Sequence, residues 1–383
     1  MSTVRTNNIL DAAGGNTATI NGMTPTAQSL QGFRNRIING GMVIDQRNNG
    51  AIYNPPPNQG YALDRWTTWL SQNTFSVQRN AGNVTPPAGF TNYLGITATS
   101  ATTIGVGDYF GVGQKIEGFN LSDLAWGTAS AQSATISFWV RSSLTGNFGA
   151  VIRRGDGGQY YAFTYPISAA NTWEYKTVVV PGPTTGTWDS TNGTGLFLLF
   201  GLGAGTNQTA SSNNTWINGG VLGASGATPV VATNGATFYI TGVQLEAGSV
   251  ATPFERRDYG RELIMCQRYF EKSFNTETAP ANGVVSADRK QGIAFGVDRI
   301  GYYGVFSVTK RANPTVTFYN GANTGTAGQW AYYDTASTTW IASTGYSGST
   351  LRQKDFSIDM NVSGRSANQA LILDGNWIAS AEL

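Results

Sequence analysis

Short apolar runs recur along most of this sequence, separated by clusters of Gly, Asn, Thr and Ser. The runs follow one another about every ten residues, an interval typical of strands joined by turns in an all-β protein. In the run TISFWVRSS, apolar residues occupy every second position. Ile136, Phe138 and Val140 are therefore predicted to share the buried face of one strand.

The run ATFYITGVQLEAG predicts a second strand of this kind. The alternate positions that would share one face are Tyr239, Thr241, Val243 and Leu245. Gly242 lies within the run and would permit a β-bulge, because glycine adopts backbone conformations that other residues avoid.

The predicted strands fall into two series. Residues 33–250 hold about eight or more strands, and a two-sheet jelly roll is the economical way to pack such a series. Residues 276–383 hold about eight further short strands, enough for one small sandwich. The predicted fold is all-β: a jelly-roll β-sandwich, a short linker with a helix over residues 251–275, and a second, smaller β-sandwich.

Residues 1–32 differ from both series, because they carry few large apolar side chains and many Asn, Thr and Gly residues. Such a segment buries too little apolar surface to offset the entropy that it loses on ordering. It is predicted to be an extended N-terminal arm that orders only by docking on a partner. A frayed terminus is the alternative.

The linker concentrates charge in a chain that elsewhere has little, in the segment TPFERRDYGRELIMCQRYFEKSF. Its apolar positions that recur at helical spacing are Tyr259, Leu263, Cys266 and Phe270. Spacings of four, three and four residues place these side chains on one face of an α-helix. Most of the charged residues fall on the opposite face.

Two residues could begin this helix. Thr252, followed by Pro253 and with Glu255 three positions later, has the form of a capped helix start. Asp258 is the competing N-cap if residues 252–257 form an irregular turn.

The apolar face of so short a helix must pack against another surface. The helix could lie on the sandwich of its own chain as a connector. It could instead meet its symmetry mates at a trimer axis, burying Leu263 and Phe270 between chains. A helix that binds nucleic acid or calmodulin is disfavoured, because acidic residues dilute its positive charge.

The residue inventory excludes several classes of catalytic and metal site. The chain of 383 residues has no His and one Cys, Cys266. A Ser-His-Asp triad, a Cys-His pair, a zinc or copper site with His or Cys ligands and an intrachain disulfide are therefore impossible within this chain. Paired carboxylates and a Ca²⁺ or Mg²⁺ site remain possible.

Neither remaining class is favoured by the pattern. The 22 acidic residues are scattered and no repeat of fixed period is present, which disfavours a polysaccharide-cleaving β-helix enzyme. Asp156 follows Arg153 and Arg154 in a predicted hairpin with its turn at residues 155–158, and one carboxylate among glycines is weak evidence for Ca²⁺. No catalytic residue, metal or cofactor is predicted.

The overall charge balance favours neither nucleic acid nor membrane as a partner. The formal net charge is +2, which gives no general attraction to polyanions. No apolar run reaches the about 18 residues of a membrane span, and the first residues lack the apolar region of a secretion signal. We expect a protein made in a cytoplasm, with no nucleic-acid partner and no membrane insertion.

Aromatic residues make up 12% of the chain and are the best clue to binding, since sugars dock their CH faces on Trp and Tyr rings. The crowded rings of the second series that we select as candidate glycan or receptor contacts are Trp330, Tyr333, Trp340 and Tyr346. Packing in the domain core is the alternative. Trp66 and Trp69 are three residues apart in a strand, so they should face opposite sides, with at least one in the core.

Several motifs together resemble a recurrent module of tail-fibre and related structural proteins of tailed bacteriophages. They are RIINGGMVIDQRNNG, YALDRWTTW, GFTNYLGITATSA, TISFWVRSSLTGNFG, ATFYITGVQLEAGSVATPFERRDYGRELIMCQRYFEKS and the terminal SAEL. The resemblance covers most of residues 33–272, and MSTVRTNNILDAAGG resembles the virion-anchoring starts of such fibres. Asp258 departs from the pattern, in which Pro is expected.

The resemblance implies a virion structural protein without enzymatic activity: a homotrimeric tail fibre for host attachment, with a jelly roll similar to carbohydrate-binding modules. Other virion proteins of the tail or neck are the expected partners of residues 1–32. A host-surface polysaccharide or protein is the expected partner of residues 276–383. The expected location is the virion. The alternatives are a capsid-bound head fibre or decoration protein and a glycan-degrading tailspike enzyme.

Overall fold

The computed structural model describes residues 33–285, 289–335 and 337–383. Within these ranges the chain is all-β with a single α-helix, which confirms the predicted fold class. The predicted N-terminal arm, residues 1–32, lies outside the described residues.

Twelve strands build an N-terminal jelly-roll sandwich. They are β1 (Asn58–Leu63), β2 (Trp66–Leu70), β3 (Phe75–Arg79), β4 (Leu94–Ala98), β5 (Tyr109–Glu117), β6 (Ala134–Ser142), β7 (Gly146–Arg154), β8 (Gln159–Ile167), β9 (Glu174–Val180), β10 (Thr194–Ala204), β11 (Trp216–Asn218) and β12 (Thr237–Ala247). The seven-stranded sheet has the order β1-β2-β5-β10-β7-β8-β11, and the five-stranded sheet has the order β3-β4-β12-β6-β9. Short 3₁₀ turns in the loops span Ala81–Asn83, Gly118–Asn120, Ser122–Leu124, Thr206–Gln208 and Val230–Ala232.

The core of the jelly roll lies between the two sheets and follows the predicted alternation in β6. Ile136, Phe138 and Val140 are all fully buried there. Trp66 of β2 is also in this core, whereas Trp69 lies on the outer face of the seven-stranded sheet. The prediction that these two rings face opposite sides is therefore confirmed.

A bulge in β12 changes which of its residues face inward. The pairing of β12 with β6 shifts register between Thr241 and Gln244, and Gly242 there has a φ of 62°. Because the bulge inserts one residue, the inward positions change from even to odd numbers along the strand. The core residues of β12 are Phe238, Ile240, Val243 and Leu245. The predicted bulge is confirmed, but the prediction that Tyr239 and Thr241 share a face with Val243 is wrong.

The linker helix α1 (Tyr259–Gln267) begins at the first position of the apolar spacing and ends before its last. Asp258 is its N-cap, since its side chain accepts a hydrogen bond of 2.9 Å from the backbone N–H of Arg261. The other predicted helix start, with Thr252 as the cap, is therefore wrong. Among the described residues, no helix is both long and apolar enough to span a bilayer.

Phe270 does not belong to the helix. It begins the short strand β13 (Phe270–Lys272), which pairs with a strand of the C-terminal domain, and its ring is buried. Its predicted place on the helix face is therefore wrong, because the helical backbone ends before the last position of the pattern.

The described part of the C-terminal domain contains eight further strands, in agreement with the about eight that the sequence predicts. They are β14 (Lys290–Ala294), β15 (Arg299–Val305), β16 (Thr315–Asn320), β17 (Ala331–Asp334), β18 (Thr339–Ala342), β19 (Gly345–Leu351), β20 (Asp355–Asn361) and β21 (Ala370–Ser380). Seven of these have the order β18-β17-β21-β14-β15-β20-β19, while β13 and β16 pair with the second half of β21. The long strand β21 thus joins the two layers of a small sandwich.

The two domains meet through buried charged side chains and not through an open linker. Glu382 forms ion pairs with Arg65, which is fully buried, and with Arg47 at 2.7 Å. Glu117 of β5 accepts hydrogen bonds from Arg268 and from the hydroxyl of Tyr269 at 2.5 Å. Four of the motifs that carry the bacteriophage resemblance therefore contribute residues to this contact, namely those that contain Arg47, Arg65, Arg268 and Glu382.

Candidate ligand-binding groove

The structure separates the four aromatic residues selected in the C-terminal domain. Trp330 is fully buried, and its indole N–H donates a 3.0 Å hydrogen bond to the carbonyl of Asn376. Its ring centroid lies 5.1 Å from that of Tyr302 and 5.7 Å from that of Phe318. Trp330 is therefore a core residue, and its prediction as a contact residue is wrong.

Tyr346 is also committed to the domain interior. Its ring packs 4.8 Å from that of Phe318, and its hydroxyl donates a 3.0 Å hydrogen bond to the carbonyl of Gly328. Burial raises the pKa of Tyr346 well above the usual tyrosine range. The side chain is half-buried and acts mainly in packing.

Tyr333 and Trp340 remain as a pair on the outward face of the sheet. They are register partners on β17 and β18, and their ring centroids are 5.4 Å apart. The neighbouring residue Tyr332 is buried in the core, so the pair points away from it. The guanidinium of Arg289 lies 4.5 Å from the Trp340 ring centroid. This pair is half-buried and stays a candidate contact.

The apolar face of α1 packs within its own chain. Cys266 is fully buried with Ile38, Ile44 and Tyr269, and Leu263 packs against the same cluster. Burial raises the pKa of the Cys266 thiol. Tyr259, at the start of the helix, is 51% exposed. These contacts support the connector alternative, and a trimer contact through this face stays a prediction.

The Arg153–Arg154 segment forms the predicted hairpin. β7 ends at Arg154 and β8 begins at Gln159, which places the turn at residues 155–158. Asp156 accepts a 2.6 Å hydrogen bond from Arg154 and one of 2.8 Å from the backbone N–H of Gly158. Within the described ranges, no cluster of three or more Asp, Glu, Cys or His residues is arranged to hold a metal.

A groove of about 620 Å³ lies on the outer face of the five-stranded sheet, where the sequence predicted no ligand-contact residue. Its wall combines the loop between β3 and β4 with the segment that follows β12. The lining residues are Phe90, Ser137, Trp139, Tyr175, Thr177, Gly242, Ala251, Thr252, Pro253, Phe254 and Arg256. We call it the aromatic groove.

Two rings form the floor of the aromatic groove. Trp139 and Tyr175 are register partners on β6 and β9, and their ring centroids are 5.3 Å apart with planes inclined by 48°. Trp139 points outward because Phe138 and Val140, on either side of it, point into the core. Tyr175 is 44% exposed. The floor is therefore accessible to a ligand.

Two further rings form the wall. Phe90 and Phe254 meet edge to face, with ring centroids 5.1 Å apart. At Gly242, a Cβ atom would lie 2.6 Å from the Phe90 ring and 3.2 Å from the Trp139 ring. The glycine at the bulge therefore lets the wall and the floor approach each other.

The wall also carries a charged group. The guanidinium of Arg256 lies 4.7 Å from the Phe90 ring centroid and 5.8 Å from that of Phe254. A smaller cavity of about 130 Å³ shares Phe90, Phe254 and Arg256 with the aromatic groove and continues toward Gly41. The whole surface thus combines four aromatic rings, hydroxyl side chains and one exposed guanidinium.

The sequence contains one signal that could have indicated this groove. In TISFWVRSS, Trp139 occupies a position that the alternation assigns to the solvent-facing side, where a large aromatic residue is uncommon unless it packs or binds. Its partners could not be found this way, because Phe90, Tyr175 and Phe254 come from distant segments.

Comparison with known proteins gave partial similarities of fold. A scan against protein-family models and a search of curated proteins found no match. One similar solved structure is the enzymatically active domain of bacteriophage CBA120 tailspike protein 4, with 14% identity, 57% of this chain covered and a TM-score of 0.29. The match spans 22% of that chain.

Two other similar structures are carbohydrate-binding modules. The CBM22-1 xylan-binding domain from Paenibacillus barcinonensis has 13% identity and a TM-score of 0.27, with 54% of this chain and 99% of that chain covered. The family 11 module from Clostridium thermocellum, in complex with a mixed-linked tetrasaccharide, has 13% identity and a TM-score of 0.24. That match covers 52% of this chain and 100% of the module.

Proposed function

We propose that the aromatic groove binds a glycan. The observation that carries this proposal is the accessible pair of rings, Trp139 and Tyr175, on the floor of a groove large enough for a saccharide. Sugar rings stack their CH faces on such rings, and hydroxyl side chains such as Ser137 and Thr177 satisfy the sugar hydroxyls.

The rings of the groove pack against one another within the chain itself, which favours binding. The floor rings are held by the register of β6 and β9, and the wall rings are held by their edge-to-face contact. Ordering rotamer-rich side chains costs about 0.5–1.5 kcal/mol each on binding. A surface built from already ordered rings avoids most of this cost.

We further propose that the chain is a bacteriophage tail fibre, a virion structural protein that attaches the particle to a host-surface glycan. The motif resemblance over residues 33–272 supports this role. Residues 1–32 would bind other virion proteins of the tail or neck, and the fibre would act by binding and not by catalysis.

A homotrimer would strengthen attachment, because linked sites act at high effective concentration. Since the apolar face of α1 packs within its own chain, we propose that the chains associate through the outward face of the C-terminal sheet. Its exposed apolar residues include Ile293, Tyr303, Val305 and Ile372. Patches of this kind mark protein contacts in soluble proteins.

The test of glycan binding compares the wild-type protein with Trp139→Ala on an array of bacterial surface polysaccharides. We expect binding by the wild-type protein and loss of binding by the variant, with unchanged thermal unfolding. Wild-type binding that survives Trp139→Ala would contradict the assignment to this groove. Release of new reducing ends from a bound polysaccharide would instead identify a glycan-degrading enzyme.

The test of the biological role is electron microscopy of particles labelled with an antibody against residues 276–383. Labelling at the tail supports a tail fibre. Labelling spread over the head would identify a capsid-bound head fibre or decoration protein.

A further inference from the structure

We propose that the glycan bound in the aromatic groove carries an anionic group, and that Arg256 binds this group. The inference rests on the glycan-binding function proposed above and adds the chemical class of the ligand. Arg256 is exposed and is the cationic residue in the lining of the groove.

The guanidinium of Arg256 is positioned without being neutralised. It stacks on Phe90, and one of its terminal nitrogens lies so close to Gly89 that a Cβ there would be 2.7 Å away. Among the described residues, Arg256 takes part in no hydrogen bond and no ion pair; its contacts are with aromatic rings and backbone. Its hydrogen-bond donors are therefore available to a ligand.

The neighbouring residue Arg257 shows the opposite situation. Its side chain is buried, forms ion pairs with Glu255 at 3.4 Å and Glu262 at 3.5 Å, and donates a 3.1 Å hydrogen bond to the carbonyl of Ile37. Two adjacent arginines thus differ in role: Arg257 holds the linker against the jelly roll, and Arg256 projects into the groove.

The nearby carboxylates have other partners. Glu255 accepts a hydrogen bond of 2.5 Å from the backbone N–H of Asn35, and Glu262 accepts one from the backbone N–H of Asn39. Asp258 caps α1. None of these three acids forms an ion pair with Arg256.

An acidic sugar supplies the counter-charge of Arg256. A guanidinium presents a planar fork of N–H donors that matches a carboxylate or a phosphate, and stacking on an aromatic ring holds the fork in one orientation. A sugar ring stacked on Trp139 or Tyr175 could place such a group against Arg256 in the same groove. Uronic acids and sugar phosphates share this chemistry.

The experiment uses the full chain and an array that holds uronate-bearing, phosphate-bearing and neutral glycans. The strongest ligand is then compared with its neutralised form, in which uronate carboxyls are reduced to alcohols or phosphates are removed. Affinities are measured by titration calorimetry for the wild-type protein, Arg256→Ala, Arg256→Lys, Trp139→Ala and the control Arg352→Ala. Arg352 is exposed and lies in the C-terminal domain.

We expect the strongest ligand to be acidic and its neutralised form to bind about 10- to 100-fold more weakly, the range for losing a charge-assisted hydrogen bond. Arg256→Ala should lose a similar factor toward the acidic ligand and little toward the neutralised one. Arg256→Lys should fall between, and Arg352→Ala should match the wild-type protein. A loss of affinity on carboxyl reduction would identify a carboxylate as the bound group, and a loss on phosphate removal would identify a phosphate.

Two results overturn the inference. If the strongest ligand is neutral, or if Arg256→Ala binds the acidic ligand as tightly as the wild-type protein, Arg256 does not select an anion. Loss of binding in Trp139→Ala would still support the groove in that case. If Trp139→Ala also binds unchanged, the glycan-binding function of the groove fails together with the inference.

Discussion

The two domains expose hydrophobic side chains in different ways. On the jelly roll, aromatic rings line a groove between two chain segments, next to a guanidinium that forms no ion pair with any described residue. On the C-terminal domain, mainly aliphatic side chains cover the outward face of a sheet, with Tyr333 and Trp340 at one end. The difference teaches that exposure alone does not define a binding site.

The physical basis of the difference is shape and chemistry. A groove surrounds a small ligand on several sides, and aromatic rings with polar neighbours suit a molecule that has both CH faces and hydroxyls. An open aliphatic face offers few directional groups, so it gains most from another protein surface that removes it from water. We therefore propose a glycan for the first surface and a second copy of the chain for the second.

The largest expected effect separates core from contact in the C-terminal domain. Trp330→Ala should destabilise the domain by about 3–5 kcal/mol, the usual cost of removing a large buried ring. The matched control Tyr333→Ala, on the outward face, should cost about 1 kcal/mol or less. Urea unfolding followed by fluorescence measures both. A Trp330→Ala variant with wild-type stability and lost host adsorption would restore Trp330 as a contact residue.

The second prediction concerns the contact between the two domains. Glu382→Ala should cost about 3 kcal/mol, because it leaves the fully buried Arg65 without its partner in a site of low polarity. Thermal unfolding should then show two separate transitions, one for each domain. The pair of exposed Arg352 and partly buried Asp355 provides the control, since Asp355→Ala should change stability by only about 1 kcal/mol. Equal effects of the two substitutions would argue against a structural role for the interdomain ion pairs.

The third prediction addresses the outward sheet face. Asp substitutions at Ile293 and Ile372 should dissociate the proposed trimer, because each would place a charge in an apolar interface at a cost of about 2 kcal/mol or more. Leu263→Ala should lower the melting temperature without changing the number of chains in the assembly. Light scattering checks both variants. If Leu263→Ala dissociates the assembly and the Asp variants do not, the chains associate through α1 and not through the sheet face.

The fourth prediction addresses the groove. Tyr175→Ala should weaken glycan binding about 10-fold, the loss expected for one stacked ring, while its effect on folding stays under about 1 kcal/mol because the side chain is exposed. Titration calorimetry with the glycan selected on the array measures the change. Tyr303→Ala, on the C-terminal sheet face, is the control and should bind as the wild-type protein does.

The smallest expected effect is a dependence of stability on pH at the domain boundary. Lys272 donates hydrogen bonds to the carbonyls of Gln46 and Thr278 at 2.8 and 2.7 Å, and burial lowers its pKa from 10.5 to about 8. Between these two pH values the unfolded chain holds more protons than the folded chain, so this residue makes stability rise with pH. The full shift would raise the free energy of unfolding by about 2 kcal/mol from pH 7 to 9.5. We expect about half of this, about 1 kcal/mol, because solvent partly screens a side chain at the domain boundary.

Lys272→Met should remove this rise, and urea unfolding at several pH values checks it. Replacing the exposed Lys354 by Met is the control and should leave the slope unchanged. The measurement stays below pH 10 because of the tyrosines. Burial raises the pKa of several of them, including Tyr165. Where these tyrosines ionise in the unfolded chain but not in the folded chain, stability falls with pH. An equal slope in wild type and Lys272→Met would contradict the assignment.

Local pattern was sufficient for much of the fold. The alternation in TISFWVRSS predicted the inward face of β6, and the two strand series predicted a large and a small sandwich. Asp258 was one of two predicted caps, and Gly242 was predicted at a bulge. These features depend on residues close together in the chain, where backbone preferences and side-chain periodicity act directly.

Tertiary structure decided the rest, including the whole candidate site. The bulge at Gly242 moved Tyr239 to the outer face, and pairing with β21 took Phe270 out of the helix pattern. The rings of the aromatic groove come from four segments that are distant in sequence, whereas the aromatic residues crowded together in the C-terminal segments mostly entered a core. The sequence determined where strands form and which side chains alternate along them. Which face becomes covered depends on what packs against it, and only contacts between distant segments decide that.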